Sequence, residues 1–518
     1  MQQYSYNNVD NTTGKRYTYN NQTKSFGYTY HKAGMGDQTT YPNGASRKQE
    51  LGHLAQVYQS KLTLPGGQAS TTNYALYSPA EGLSSTALGS VSYAELNRSF
   101  VYSYTPQGNI SAVTDQSGTT ERRSTYVYDE LGQLIRENNA YLNQTVLYEY
   151  DAGGNILTKT AYPYTTGSLE GMTGETVTYS YGDSEWKDLL TAYNGQAITY
   201  DEIGNPLSYK NGWQFTWRDG RRLATAAANG KALSFAYNES GIRTQKTVDG
   251  VTTEYFLDGS TVLAQKTGDN TVWYYYDCNG TREALEYGGQ VYYYLYNAQG
   301  DVMALYDNSL NVVAEYTYDS WGRVLSITGS LAETVGKANP FRYRGYYYDS
   351  ETELYYLNSR YYDPEMGRFV NADDSSILEE DQGEILEHNL FTYCLNNPVN
   401  KFDEDGYAAA NIIGGIIGGA VGATLGYLLA RQLGLRGWKK WALISAATVG
   451  GAVLGAFLGP YVAKLGGKVA AKLGIRTAAK KVIRISSNKL WKVSSRHIFS
   501  KDHIRNGIMR LGGVKKNI

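Results

Sequence analysis

Two imidazoles in a basic setting are the first candidates for chemistry: His497 and His503, in Ser495-Arg-His-Ile-Phe-Ser-Lys-Asp502-His-Ile-Arg505. Imidazole titrates near neutrality, so such a pair can take and return a proton during cleavage of an RNA backbone. Reacting geometry also needs an enclosing pocket, and only fifteen residues follow His503. The expectation is therefore a truncated tip that binds anionic surfaces and does not cut nucleic acid. Lys464, Lys468, Lys472, Arg476, Lys480 and Arg484 recur every fourth residue and would lay one basic stripe along a helix. That stripe suits phosphates of lipid headgroups or of nucleic acid, or simply a solvated face. The two cysteines, Cys278 and Cys394, offer neither a disulfide framework nor zinc spacing, and no metal or cofactor is expected.

Most of the chain is built for sheet. It has 518 residues, 42% hydrophobic, with 50 Tyr against 11 Phe. One theme recurs: an aromatic strand, Asp or Asn, two residues, then Gly. It stands at Tyr128-Asp129 with Gly132, Tyr150-Asp151 with Gly154, Tyr200-Asp201 with Gly204, Tyr237-Asn238 with Gly241, Tyr276-Asp277 with Gly280, Tyr296-Asn297 with Gly300 and Tyr318-Asp319 with Gly322. Alternate aromatics place their rings on one face of a strand. The Asx side chain bonds the following backbone, and Gly takes the left-handed position that closes a hairpin with a bulge. A lone hairpin cannot bury its rings, so neighbouring units must stack. Tyrosine suits such a sheet if its faces are partly wet, because the ring packs while the hydroxyl finds water or a partner.

These residues resemble the YD repeat of the Rhs family. The resemblance sharpens at Asn339-Pro-Phe-Arg-Tyr-Arg-Gly-Tyr-Tyr-Tyr-Asp349 and Arg360-Tyr-Tyr-Asp-Pro364, which continues through Gly367-Arg-Phe369 to Asn396-Asn-Pro398, and it covers roughly residues 95–407. It implies a mainly β fold: stacked YD-repeat hairpins forming a curved or shell-like sheet with a core plug, followed by a small α-helical hydrophobic C-terminal region. It also implies an aspartyl self-cleavage site. Arg360 matches a family arginine near that site, and Asp373 matches the first aspartate. Asp403 matches the aspartate of the closing motif, after which the chain is cut, here between Tyr407 and Ala408. Such chemistry needs one ionised carboxylate to activate water and one protonated carboxyl to polarise the carbonyl, with an arginine holding the charged partner. Asp374 and Glu404 stand where many relatives have Pro.

The expected segments are degenerate repeats (1–94), YD repeats (95–338), the Rhs core (339–407), a hydrophobic helical hairpin (408–463) and a basic variable tip (464–518). Residues 408–430 and 441–463 are uncharged, each long enough to span a bilayer, and glycines recur every four residues at 414, 418, 422 and 426 and again at 451, 455 and 459. After residue 407 stand nineteen Lys and Arg and one acid, leaving 29 bases and 48 acids before it. An acidic shell thus precedes a basic tail, which points to different partners for the two. No N-terminal signal peptide is visible. The resulting expectation is a secreted or surface polymorphic toxin fragment, membrane-associated through 408–463, with an immunity protein as partner and no specific nucleic acid. The rival is a cell-wall or glycan-binding repeat protein anchored by the hairpin.

Overall fold

The computed structural model describes residues 1–411, apart from 9–10, 32–35, 53–56, 79–86, 374–384, 404 and 407–408. A seventeen-stranded antiparallel meander runs from Gln2–Tyr6 to Gln196–Ala197, and a second of fourteen strands runs from Thr199–Tyr200 to Val324–Thr328. Four short strands between Tyr347 and Phe369 form a third sheet, and Lys401–Asp403 pairs with Ala409–Asn411.

Each repeat is built by its own residues. The Asp129 carboxylate accepts the backbone N–H groups of Leu131 and Gln133, at 2.9 and 2.8 Å. Asp151, Asp201, Asp277, Asn297 and Asp319 do the same two and four residues on. The glycine that follows lies at positive φ, +80° at Gly132 and +93° at Gly322, where a side chain would be strained. Register slips by one residue at Tyr128, Tyr150, Tyr237, Tyr276, Tyr296 and Tyr318, so a bulge sits at every one of these motif tyrosines.

That placement gives the tyrosine excess a cause other than wet sheet faces. The hydroxyls of Tyr104, Tyr128, Tyr150, Tyr237, Tyr276, Tyr296 and Tyr318 each donate to a backbone carbonyl 14–18 residues earlier, at 2.6–3.0 Å. Each of these tyrosines thereby ties its hairpin to the preceding one, which phenylalanine cannot do. Tyr318→Phe, which removes the 2.7 Å bond to the Val302 carbonyl, is expected to cost about 1 kcal/mol in urea unfolding. Tyr6→Phe, at an exposed ring, should cost nothing measurable.

The two meanders face one another, and their strand orders advance together. Tyr19 stacks on Phe256 at 4.9 Å, Asn43 donates to the Tyr293 hydroxyl, and the Tyr93 hydroxyl donates to the Tyr296 carbonyl. Further on, Arg98 pairs with Glu315, and the Ser320 hydroxyl donates to Glu137. Later hairpins therefore wind over earlier ones in the same direction, burying the aromatic rings between them. The first half of the second sheet receives the segment after residue 339: the Tyr209 hydroxyl donates to Asp363, and Arg243 pairs with Asp349 at 2.6 Å.

One expected boundary needs correction. The sequence puts Ala409–Asn411 near the start of a helical hairpin, but it is a strand whose backbone pairs with Lys401–Asp403. The edge of Lys401–Asp403, just before the turn closed by Gly406, satisfies those backbone groups, and a helix there would have to bear the cost of its own nucleation. The remaining residues of the apolar pair and the basic tip lie outside the described residues. Among the described residues, no helix is long and apolar enough to cross a membrane.

Candidate self-cleavage site

Arg360 lies between two strands of the small sheet, Leu354–Tyr356 and Tyr361–Asp363. Its guanidinium lies 3.5 Å from the centre of the Phe369 ring and is only 5% exposed. A buried guanidinium must spend its donors. Nη1 donates to the Leu390 carbonyl at 3.1 Å, and Nε donates to the Gly406 carbonyl. Nη2 reaches two carboxylates at once, Asp373 at 2.8 Å and Asp403 at 3.2 Å. Sharing one nitrogen, the two nearest oxygens are at most about 6 Å apart. The fold thus brings together the three charged residues singled out from the sequence, although Arg360 and Asp403 are 43 residues apart.

Backbone contacts hold each member. The Asp373 N–H donates to Leu390 O at 3.0 Å, while the neighbouring Ala372 is held through its N–H to Gly204 O and its carbonyl to Arg221. The Asp403 N–H donates to the Tyr346 hydroxyl at 2.9 Å, and Asp403 Oδ1 accepts the Gly406 N–H at 2.8 Å. Gly406 closes this turn at φ +83°, where an added Cβ would also press on Ser359 Oγ and the Arg360 nitrogen. Ser359 pins the same turn from the other side, its hydroxyl donating to Asp405 O at 2.7 Å. Tyr346 and Ser359 carried no local signal of this role, because their partners lie 57 and 46 residues away.

The carbonyl of Gly406, one residue before Tyr407, is held by Arg360 itself. Tyr407, Ala408, Asp374 and Glu404 lie outside the described residues, as do His497 and His503. The two thiols are far from catalytic form. Burial, reinforced by Asp277, pushes Cys278 up to about 12, and burial with Asp403 nearby pushes Cys394 higher still.

Residues 95–399 match the model of the teneurin YD-shell family, more than half of the chain. The chain belongs to that family. This chain is 34% identical over 288 residues to the tRNA nuclease WapA of Bacillus subtilis (strain 168), covering 54% of this chain and 12% of that protein. It is 23% identical over 384 residues to toxin subunit YenC1 of Yersinia entomophaga, covering 62% of this chain and 38% of that one. The YD-shell chain therefore spans about an eighth of the first relative's length and less than half of the second's. Among solved structures, TcdB2-TccC3-Cdc42 superposes with a TM-score of 0.54 at 17% identity, over 78% of this chain and 23% of that one, a likeness of fold.

Proposed function

We propose that this chain is the shell and plug of an Rhs-type toxin that cuts itself after Tyr407 and so separates a C-terminal effector segment from its carrier. The observation that carries the reading is the single Arg360 nitrogen held between Asp373 and Asp403, with the same guanidinium on the Gly406 carbonyl, one peptide before the proposed bond. In the proposed reaction ionised Asp373 takes a proton from water as its oxygen bonds to the Tyr407 carbonyl carbon, and protonated Asp403 donates to the carbonyl oxygen. Collapse of that intermediate breaks the C–N bond. As the C–N bond breaks, Asp373 gives its newly gained proton to the Ala408 nitrogen and Asp403 takes back a proton from a hydroxyl of the intermediate, leaving the Tyr407 carboxyl and the Ala408 amine with both acids in their starting forms. Arg360 favours the ionised partner and fixes the distance between the two acids. Intact mass of the purified chain tests the reading: pieces of 407 and 111 residues are expected, and a single covalent chain of 518 would exclude it.

The printed names of the relatives, a tRNA nuclease and a toxin subunit, support a toxin context for this chain. Residues 1–338 would then be repeat shell and 339–407 the plug. The segment beyond the proposed cut would be the effector, kept harmless to its producer by an immunity protein, and the whole would act outside the producing cell. The two uncharged stretches, 408–430 and 441–463, support membrane contact by that effector. Added to dye-loaded anionic vesicles, the chain is expected to release dye, and replacing Gly418 and Gly422 by Leu should slow release by separating the helices. Vesicles that stay sealed would remove the membrane from the proposal.

A further inference from the structure

The proposed cleavage leaves a deeply buried acid unused. Glu137 lies on the first-sheet strand Leu134–Asn139, where that sheet meets the turn after Tyr318 of the second, and it is completely buried. The Ser320 hydroxyl donates to its Oε2 across the seam, and the Tyr148 hydroxyl donates to its Oε1 at 2.7 Å. Asp115, Glu283, Asp349 and Asp363 are about as deep, and each faces a cation: Arg98, Arg47, Arg243 and Lys210. Glu137 has hydroxyls and the Asn139 amide at 3.5 Å instead, and no ion pair among the described residues.

Its charged neighbours do not supply the missing cation. Asp319, beside Ser320 on the same turn, is itself buried and of like charge. Lys159, on the strand Ile156–Pro163, stands 4.0 Å from Asp319, and Arg323 stands 3.3 Å from it, so both cations attend Asp319. Tyr126, Tyr128, Tyr148 and Tyr150 complete the surroundings. Burial holds each phenol above its ordinary range, so none of them titrates between acid and neutral pH. A cavity of about 60 Å³ adjoins these groups, its walls including Tyr126, Asn139, Asp319, Ser320 and Arg344, with room for a few waters.

We infer that Glu137 is a proton-operated joint between the two sheets: protonated, it lets them close on one another, and ionised, it draws water into the seam and loosens the strand from the turn. An unpaired carboxylate is costly to bury, so the group either keeps its proton or, once ionised, takes water as a partner. Burial, and after it Asp319, raise the Glu137 carboxyl above its usual range, while the Ser320 and Tyr148 hydroxyls and Lys159 oppose the rise without cancelling it. A raised folded value means a contribution that is fully present below the unfolded value of about 4 and is lost as pH rises through the folded one. The joint is therefore firm in acid and loosens as pH rises. Self-cleavage plays no part in it.

Hydrogen–deuterium exchange of the full chain at about pH 5 and about pH 8, with rates corrected for the intrinsic effect of pH, tests the joint. In wild type, protection of peptides spanning Leu134–Tyr148 and Tyr316–Val324 is expected to fall several-fold at the higher pH, while that of Val251–Asp258 holds. Glu137→Gln keeps the shape of the side chain and cannot ionise, so its protection should hold at both. Asp319→Asn removes the like charge and should shrink the loss. Its turn is expected to form, because Asn297 builds the same turn with its own side chain, and it decides the matter should Glu137→Gln fail to fold. Four results would each overturn the proposal: equal protection of wild type at both pH values, a loss in Glu137→Gln as large as in wild type, a loss in Asp319→Asn as large as in wild type, or a loss shared equally by Val251–Asp258.

Discussion

Asp373→Asn is expected to leave the purified chain whole where the wild type resolves into two pieces. The substitution keeps the length of the side chain and a carbonyl oxygen to accept from Arg360 Nη2, now 2.8 Å from Asp373, so the buried guanidinium keeps a neighbour and its bond to Asp403. What it removes is a group able to take a proton from water. A positioned general base is worth about 10²–10⁴ in rate, so cutting that is complete in an hour would take days or longer. Arg360→Gln separates support from chemistry. It removes the charge that holds Asp373 and Asp403 together but leaves both acids, and should slow cleavage without abolishing it. Cleavage of Asp373→Asn at the wild-type rate would show that Asp373 is not the base and overturn the proposed reaction.

The largest stability effect is expected at Asp349. This carboxylate, fully buried in the plug, binds Arg243 at 2.6 Å and Lys246 at 3.1 Å, both on the second sheet. Arg243 also lies 4.4 Å from the Tyr356 ring centre and 4.8 Å from that of Tyr347. Asp349→Ala leaves the buried Arg243 without a carboxylate and Lys246 with Glu351 alone, which typically costs about 3–5 kcal/mol and should loosen the plug from the sheet. Burial by itself would raise the Asp349 carboxyl, but Arg243 and Lys246 outweigh it and hold the group below the usual carboxylate range. A lowered folded value means a contribution that is fully present above the unfolded value of about 4 and is lost as pH falls through the folded one. Urea midpoints should therefore separate wild type from Asp349→Ala widely at neutral pH and converge in strong acid. A gap that stays constant down to acid pH would assign the effect to packing alone.

The repeat was legible in the sequence because everything that makes it is local. Asp129 reaches N–H groups two and four residues on, and Gly132 supplies the left-handed corner, so five residues decide the turn wherever they occur. The hydroxyl bond one hairpin back needs only a regular repeat length, yet it shows itself only when the strands are laid side by side. The site is an intermediate case. Arg360, Asp373 and Asp403 could be singled out by resemblance, and their joining through one nitrogen depends on a closing turn pinned by Ser359 and Tyr346.

What tertiary structure alone decided is which distant surfaces meet. Ladder hydrogen bonds form between successive hairpins, so sequence order determines each sheet. Nothing in a hairpin says which earlier turn of the winding it will cover, and that depends on how rings such as Tyr19 and Phe256 interlock across the gap. The same holds for Ala409–Asn411. Its small apolar residues read as the start of a helix, but backbone groups belong to whichever partner is nearest, and the edge of Lys401–Asp403 is already there. Local pattern determined the hairpins and their turns. Contacts across tens to hundreds of residues, whose energy depends on shape and burial and not on spacing, decided how they wind, where the plug sits and which acids share an arginine.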